Sequence, residues 1–139
     1  MISIEHTPPI VVLLFVWDDG GRAEAGYRGK TGDCAVRAVS IATGVPYKKL
    51  YQEFKKDNPN NVKGISWYGH GTPYPFVHTF LARRGFRWHE GGRLDASLPK
   101  GTVIANLGRH VCAVIDGVIH DTFCPPAGSK LIGYWIKNV

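Results

Sequence analysis

Gly32-Asp33-Cys34-Ala35-Val36-Arg37-Ala38-Val39-Ser40-Ile41-Ala42-Thr43-Gly44 is the stretch on which the reading of this chain turns. Wound as a helix, its apolar residues run nearly all round, and only Arg37, Ser40 and Thr43 interrupt them, spaced as one narrow polar stripe. A surface helix would carry more charge. The stretch therefore predicts a central helix from about Asp33 to Thr43, with Asp33 at the N-cap, Cys34 at the opening and Gly44 as the C-terminal stop.

Outward from this helix the pattern stays helical and then turns to strands. Pro46 suits the first position of a second helix that runs to about Lys56, with Leu50, Tyr51 and Phe54 on its apolar face. Asp57-Asn58-Pro59-Asn60-Asn61 breaks it. A third helix is expected from about Thr72 to Arg84, ended by Gly85, and Phe86 to Trp88 reads as a short strand. Gly101 to Leu107 then predicts a buried strand. His110 to Ile115 and Val118 to Thr122 predict a hairpin around Asp116-Gly117, and Leu131 to Ile136 closes the chain. Upstream, Ile10 to Val16 is expected to be a buried strand; it is too short for a bilayer span and lacks a basic lead. Residues 1–9, ending in Pro8-Pro9, read as a loose lead-in. Helices followed by an antiparallel sheet indicate an α+β fold.

The 139 residues, 44% of them hydrophobic and 12% aromatic, are expected to form one folded domain spanning 1–139. The net charge of +6 favours acidic partners without naming one, and its basic residues are scattered over different elements. A nucleic-acid interface is therefore not expected, nor is a membrane-bound state. Three cysteines leave at least one thiol unpaired, and their spacing is not that of a disulfide scaffold, so a reducing, cytoplasmic setting is expected.

A cysteine at a helix start, a distant histidine opening a strand and a polar residue on the hairpin partner are the layout of a Cys-His-Asp thiol enzyme. The hairpin register selects the third member. With Asp116-Gly117 as the turn, Ile115 pairs with Val118, Ala113 with His120 and Cys112 with Asp121. His110, Cys112 and Asp121 then share a face and His120 points away. Asp121 becomes a diagonal neighbour of His110, about 7 to 8 Å away between backbones, within side-chain reach. The same register keeps His110, Cys112, His120 and Cys124 from converging as a zinc set, so no metal or other cofactor is expected. Asp33 has two readings, a helix cap and a polar group of the site, and its charge beside Cys34 opposes thiolate formation. Trp67, Tyr68, Gly69 and His70 are candidates for a substrate groove, against a packing role for the aromatic pair.

These features resemble the papain-like cysteine peptidase fold in its minimal form. Asp19-Gly20-Gly21-Arg22, Gly32 to Ala38, Arg109-His110 and Asp116 to Thr122 are similar, as a set, to a family of small uncharacterised phage and prophage proteins; the likeness covers most of residues 18 to 136. The resemblance implies helices packed on an antiparallel sheet, Cys34 as nucleophile, His110 as base and then acid, and Asp121 orienting the imidazole. It implies a thiol hydrolase acting on a peptide or isopeptide amide of a protein or peptide substrate, in the cytoplasm of a bacterial host. Papain-like enzymes usually place a Gln several residues before the cysteine as an oxyanion donor, and this chain has none there. The Cys34 backbone N–H and a side chain such as Tyr27 or Arg28 are the substitutes available; losing one such donor costs about 2.7 to 4 kcal/mol of transition-state stabilisation. The alternative is a papain-like fold without turnover, a phage-encoded protein that binds and inhibits a host factor.

Overall fold

The computed structural model describes residues 13–27, 33–57 and 74–137. Its elements are β1 (Leu14–Trp17), α1 (Cys34–Thr43), α2 (Tyr47–Asp57), α3 (Tyr74–Ala82), β2 (Arg87–Glu90), β3 (Thr102–Asn106), β4 (Val111–Ile115), β5 (Val118–Asp121) and β6 (Gly133–Lys137). The strands form one mixed sheet in the order β1-β5-β4-β3-β6-β2. The fold is α+β, with α1 on β4, β3 and β5 and α2 against α1.

Small side chains let α1 lie close to the sheet. Ala35, Val36, Ala38 and Val39 are fully buried among Ile104, Val111, Ala113 and Trp135. The predicted polar stripe is turned largely inward. Ser40 donates to the carbonyls of Gly20 (3.1 Å) and Val45 (2.7 Å), Thr43 donates to Val39, and Arg37 turns into an ion-pair cluster. Gly44 caps the helix, its N–H donating to Ser40. In α2 the buried positions are Tyr47, Leu50 and Phe54, while Lys48, Lys49, Gln52, Lys55 and Lys56 face solvent. Fully burying Leu50 or Phe54 stabilises the fold by about 1.5–3 kcal/mol each. The opposite face of the sheet has its own cluster, Val103, Ala105, Cys112, Val114, Ile119 and Ile136, covered by Leu94 and Leu131 from the loops.

The hairpin register agrees with the expectation: Ile115 pairs with Val118, Val114 with Ile119 and Ala113 with His120, around a turn with φ 48 at Asp116 and 84 at Gly117. That backbone matches the twist of the two strands and favours Asp-Gly. Three expectations are corrected. The sheet is not wholly antiparallel, because β1 runs parallel to β5; the three helices and three further strands lie between them, long enough for the crossover that parallel pairing requires. The first strand is not buried: it occupies a sheet edge, with β5 as its strand neighbour and with Leu14 71% and Trp17 63% exposed. Ile10 to Val12 lie outside the described residues. The strand expected at Phe86 to Trp88 starts one residue later, because Phe86 drops into the helix-side core. Among the described residues no helix is long and apolar enough to cross a membrane.

The loop after β1 follows from Asp18-Asp19-Gly20-Gly21. The two carboxylates accept the N–H groups of Gly20 (2.8 Å) and Gly21 (2.9 Å), folding the chain back over α1. Gly20 has φ +69, and a Cβ there would meet the Arg37 carbonyl oxygen at 2.9 Å. Gly26 has φ +91 with nothing within 4 Å. Gly20→Ala should therefore destabilise by about 2–3 kcal/mol and Gly26→Ala by about 1, compared by urea denaturation; equal costs would show that the loop does not press on α1.

Candidate active site

Asp33 is 1% exposed, and its carboxylate does not cap α1. It is enclosed instead by cations and a phenol: Arg37 pairs with Oδ1, Tyr47 donates its hydroxyl to Oδ2, and Arg22 Nε lies 3.0 Å from Oδ2. The cap role expected of Asp33 is thus corrected, and the reason is that two guanidinium groups hold a buried carboxylate more strongly than backbone amides do. Burial and the bond to Asp33 together push the Tyr47 phenol well above its ordinary range. The charge that opposes a thiolate at Cys34 is offset within the same cluster.

Arg37 continues the chain of contacts. Its Nη2 stands 3.9 Å from Oδ1 of Asp121, the last residue of β5 and 3% exposed. The Thr122 N–H donates to that oxygen at 2.6 Å, and Oδ2 lies 2.5 Å from Nε2 of His110, just before β4. An ionised carboxylate only accepts, so the Nε2 proton belongs to the imidazole. Nδ1 is then the nitrogen left to face Cys34, whose side chain lies near enough to raise the proton affinity of the imidazole. Burial pushes the imidazole pKa down, but the hydrogen bonds and negative charges of Asp121 and Cys34 outweigh it and raise the value to about 9. The Phe123 ring, half exposed, meets the imidazole edge to face at 5.0 Å.

Cys34, His110 and Asp121, selected from the sequence, thus lie in continuous contact where the β4–β5 hairpin meets the start of α1. Cys34 is buried at 7% exposure within the helix-side core. His120, set aside by the register, turns to Asp18, with Nδ1 3.3 Å from Oδ2. Cys112, expected on the face of His110 and Asp121, is instead a core thiol on the side of the sheet away from α1, because His110 lies just before β4 and so outside its strict alternation; burial raises the Cys112 pKa, and Cys124 is exposed. The Tyr27 ring packs on Tyr47 (5.1 Å) and Tyr51 (4.5 Å), so its body belongs to an aromatic cluster above α2. Arg28, Trp67, Tyr68, Gly69 and His70 lie outside the described residues. Sequence reasoning missed Arg22, Tyr47 and the bridging role of Arg37. The available signal was the i,i+4 spacing of Asp33 and Arg37, the lone charge on an otherwise apolar helix.

No family model, curated protein or solved structure matches the chain.

Asp33→Asn strips the counter-charge from two largely buried guanidinium groups and should cost on the order of 3 kcal/mol, read by urea denaturation; a cost near zero would show the cluster to be hydrated. The raised His110 pKa sets a second expectation. Relative to an unfolded value near 6.5, its contribution is fully present below pH 6.5 and is lost as pH rises through about 9. The unfolding midpoint should fall over that window, and His110→Gln should flatten the fall.

Proposed function

We propose that the chain is a cysteine peptidase-like thiol hydrolase of minimal papain-like fold, cleaving a peptide or isopeptide amide through an acyl-enzyme on Cys34. The observation that carries this reading is the continuous contact Cys34–His110–Asp121, with the imidazole pKa near 9. An imidazole of that pKa is mostly protonated at neutral pH, and an imidazolium beside a sulfur at a helix start favours the thiolate. On this reading the pair rests as an ion pair, with the nucleophile formed before substrate arrives.

The Cys34 sulfur attacks the carbonyl carbon, forming a C–S bond and a tetrahedral oxyanion. His110 gives its Nδ1 proton to the amide nitrogen as the C–N bond breaks, and the amine leaves. Neutral His110 next takes a proton from water; the hydroxide adds to the thioester, the C–S bond breaks, and the carboxylic acid leaves with the ion pair restored. Asp121 fixes the tautomer and ring orientation throughout. The Cys34 backbone N–H serves as one oxyanion donor, and Asp33, committed to its cations, does not occupy the start of α1 as a cap. An amine in place of water would give acyl transfer with the same groups. On the resemblance to phage and prophage proteins, the reaction would take place in the cytoplasm of a bacterial host.

The second reading is a papain-like fold that binds a host protein without turnover. The observation in its favour is the small exposure of Cys34, 7%, which leaves the sulfur little open surface.

Iodoacetamide labelling against pH, followed at each cysteine by mass spectrometry, separates the two. Cys34 should react at least tenfold faster at pH 6 than an ordinary thiol of pKa about 8.5, and His110→Ala should abolish that excess. Labelling of Cys34 that rises only near pH 8.5 in both proteins would rule out the hydrolase and leave the binding protein.

A further inference from the structure

We propose that Arg37 is a positioning residue: it ties the Asp121 carboxylate to the buried Asp33 anchor and so sets, from the helix side, the geometry and ionisation of the Cys34–His110 pair. The inference rests on the hydrolase reading above.

Cys34 and Arg37 are three residues apart on α1, about one turn, and so lie on the same side of the helix. One turn of helix thus delivers two contacts to the end of the β4–β5 hairpin, thiol to imidazole and guanidinium to carboxylate. A single contact would leave the sulfur free to swing about the imidazole; two fix the approach. Asp121 is in turn held at both oxygens, Oδ1 by the Thr122 N–H and Arg37, Oδ2 by His110.

The anchor decides what the cation does. A guanidinium facing Asp121 alone would compete with the imidazolium for the same carboxylate. Here Arg37 pairs in close contact with Asp33 and reaches Asp121 only at 3.9 Å, so Asp121 keeps its short bond to His110. Arg22 and Tyr47 hold Asp33 from its other oxygen. The fork of a guanidinium spans the two carboxylates, which the point charge of a lysine does not. From Arg22 through Asp33, Arg37, Asp121 and His110 to Cys34 the charges alternate when the ion pair is formed. Among the described residues, further titratable groups near this series are Tyr47 from α2, Cys112 from β4 and Cys124 beyond β5.

The test is the pH profile of Cys34 alkylation in wild type, Arg37→Met, Arg37→Lys and the charge-balanced double variant Asp33→Asn/Arg37→Met, each confirmed as folded by circular dichroism. Loss of a cation disfavours the thiolate and favours the imidazolium, so both limbs should move to higher pH in Arg37→Met, by about half a unit or more, with a lower plateau rate. Arg37→Lys should return the limbs toward wild type while the plateau stays low. Should Arg37→Met fail to fold, the double variant, which removes the ion pair as a unit, is expected to show the lowered plateau. Profiles in the folded variants that superimpose on a His110-dependent wild-type profile overturn the role of Arg37 alone. A wild-type profile with no His110-dependent limb overturns the hydrolase reading and this inference with it.

Discussion

A carboxylate taken almost wholly out of water stays ionised only where cations and donors replace its hydration, and Asp33 imposes that requirement on the residues around it. Arg22 comes from the Asp18–Gly26 loop, Arg37 from α1 and Tyr47 from α2, so one side chain draws three segments to a common point. Gly20 lets the loop lie against the Arg37 backbone, and Ser40 holds the Gly20 carbonyl one turn further along. The start of α1, and Cys34 with it, is fixed by this convergence rather than by a cap. Because Arg37 also reaches Asp121, the same anchor extends into the hairpin that carries His110.

Much of this arrangement is legible in the residues. The Asp-Gly turn fixes the hairpin register and so brings His110 and Asp121 together at the ends of its two strands. The shared face expected from alternation does not hold, since Cys112 lies on the side of the sheet away from α1 while Asp121 reaches Arg37 of that helix. The apolar girth of residues 35–42 likewise identifies a central helix, and Gly44 and Gly85 mark where two helices stop. Those readings rest on local periodicity, the part of the fold that neighbouring residues encode by themselves.

What escaped is non-local. Nothing near Leu14 tells that its partner is Val118, or that the strand lies at an edge and keeps its apolar side chains in water. Asp33 fits the rule for an N-cap in every local respect; only the approach of Arg22 and Tyr47 from other segments diverts its carboxylate. Tyr27 similarly reads as a polar group near the cysteine, while its ring is claimed by Tyr47 and Tyr51. For Asp33, tertiary contacts outcompeted a local cap preference worth on the order of 1 kcal/mol.

The parallel pairing of β1 with β5 also governs the order in which the molecule can assemble. Leu14 must find Val118, and Cys34 must find His110, across most of the chain. Contacts of such long sequence separation carry the loop-closure entropy that slows folding, and they cannot form on a ribosome until the hairpin has emerged. The helices, built from neighbours, can form early. During synthesis the Cys34 side chain therefore stays apart from His110 until the last third of the chain has folded back onto the first.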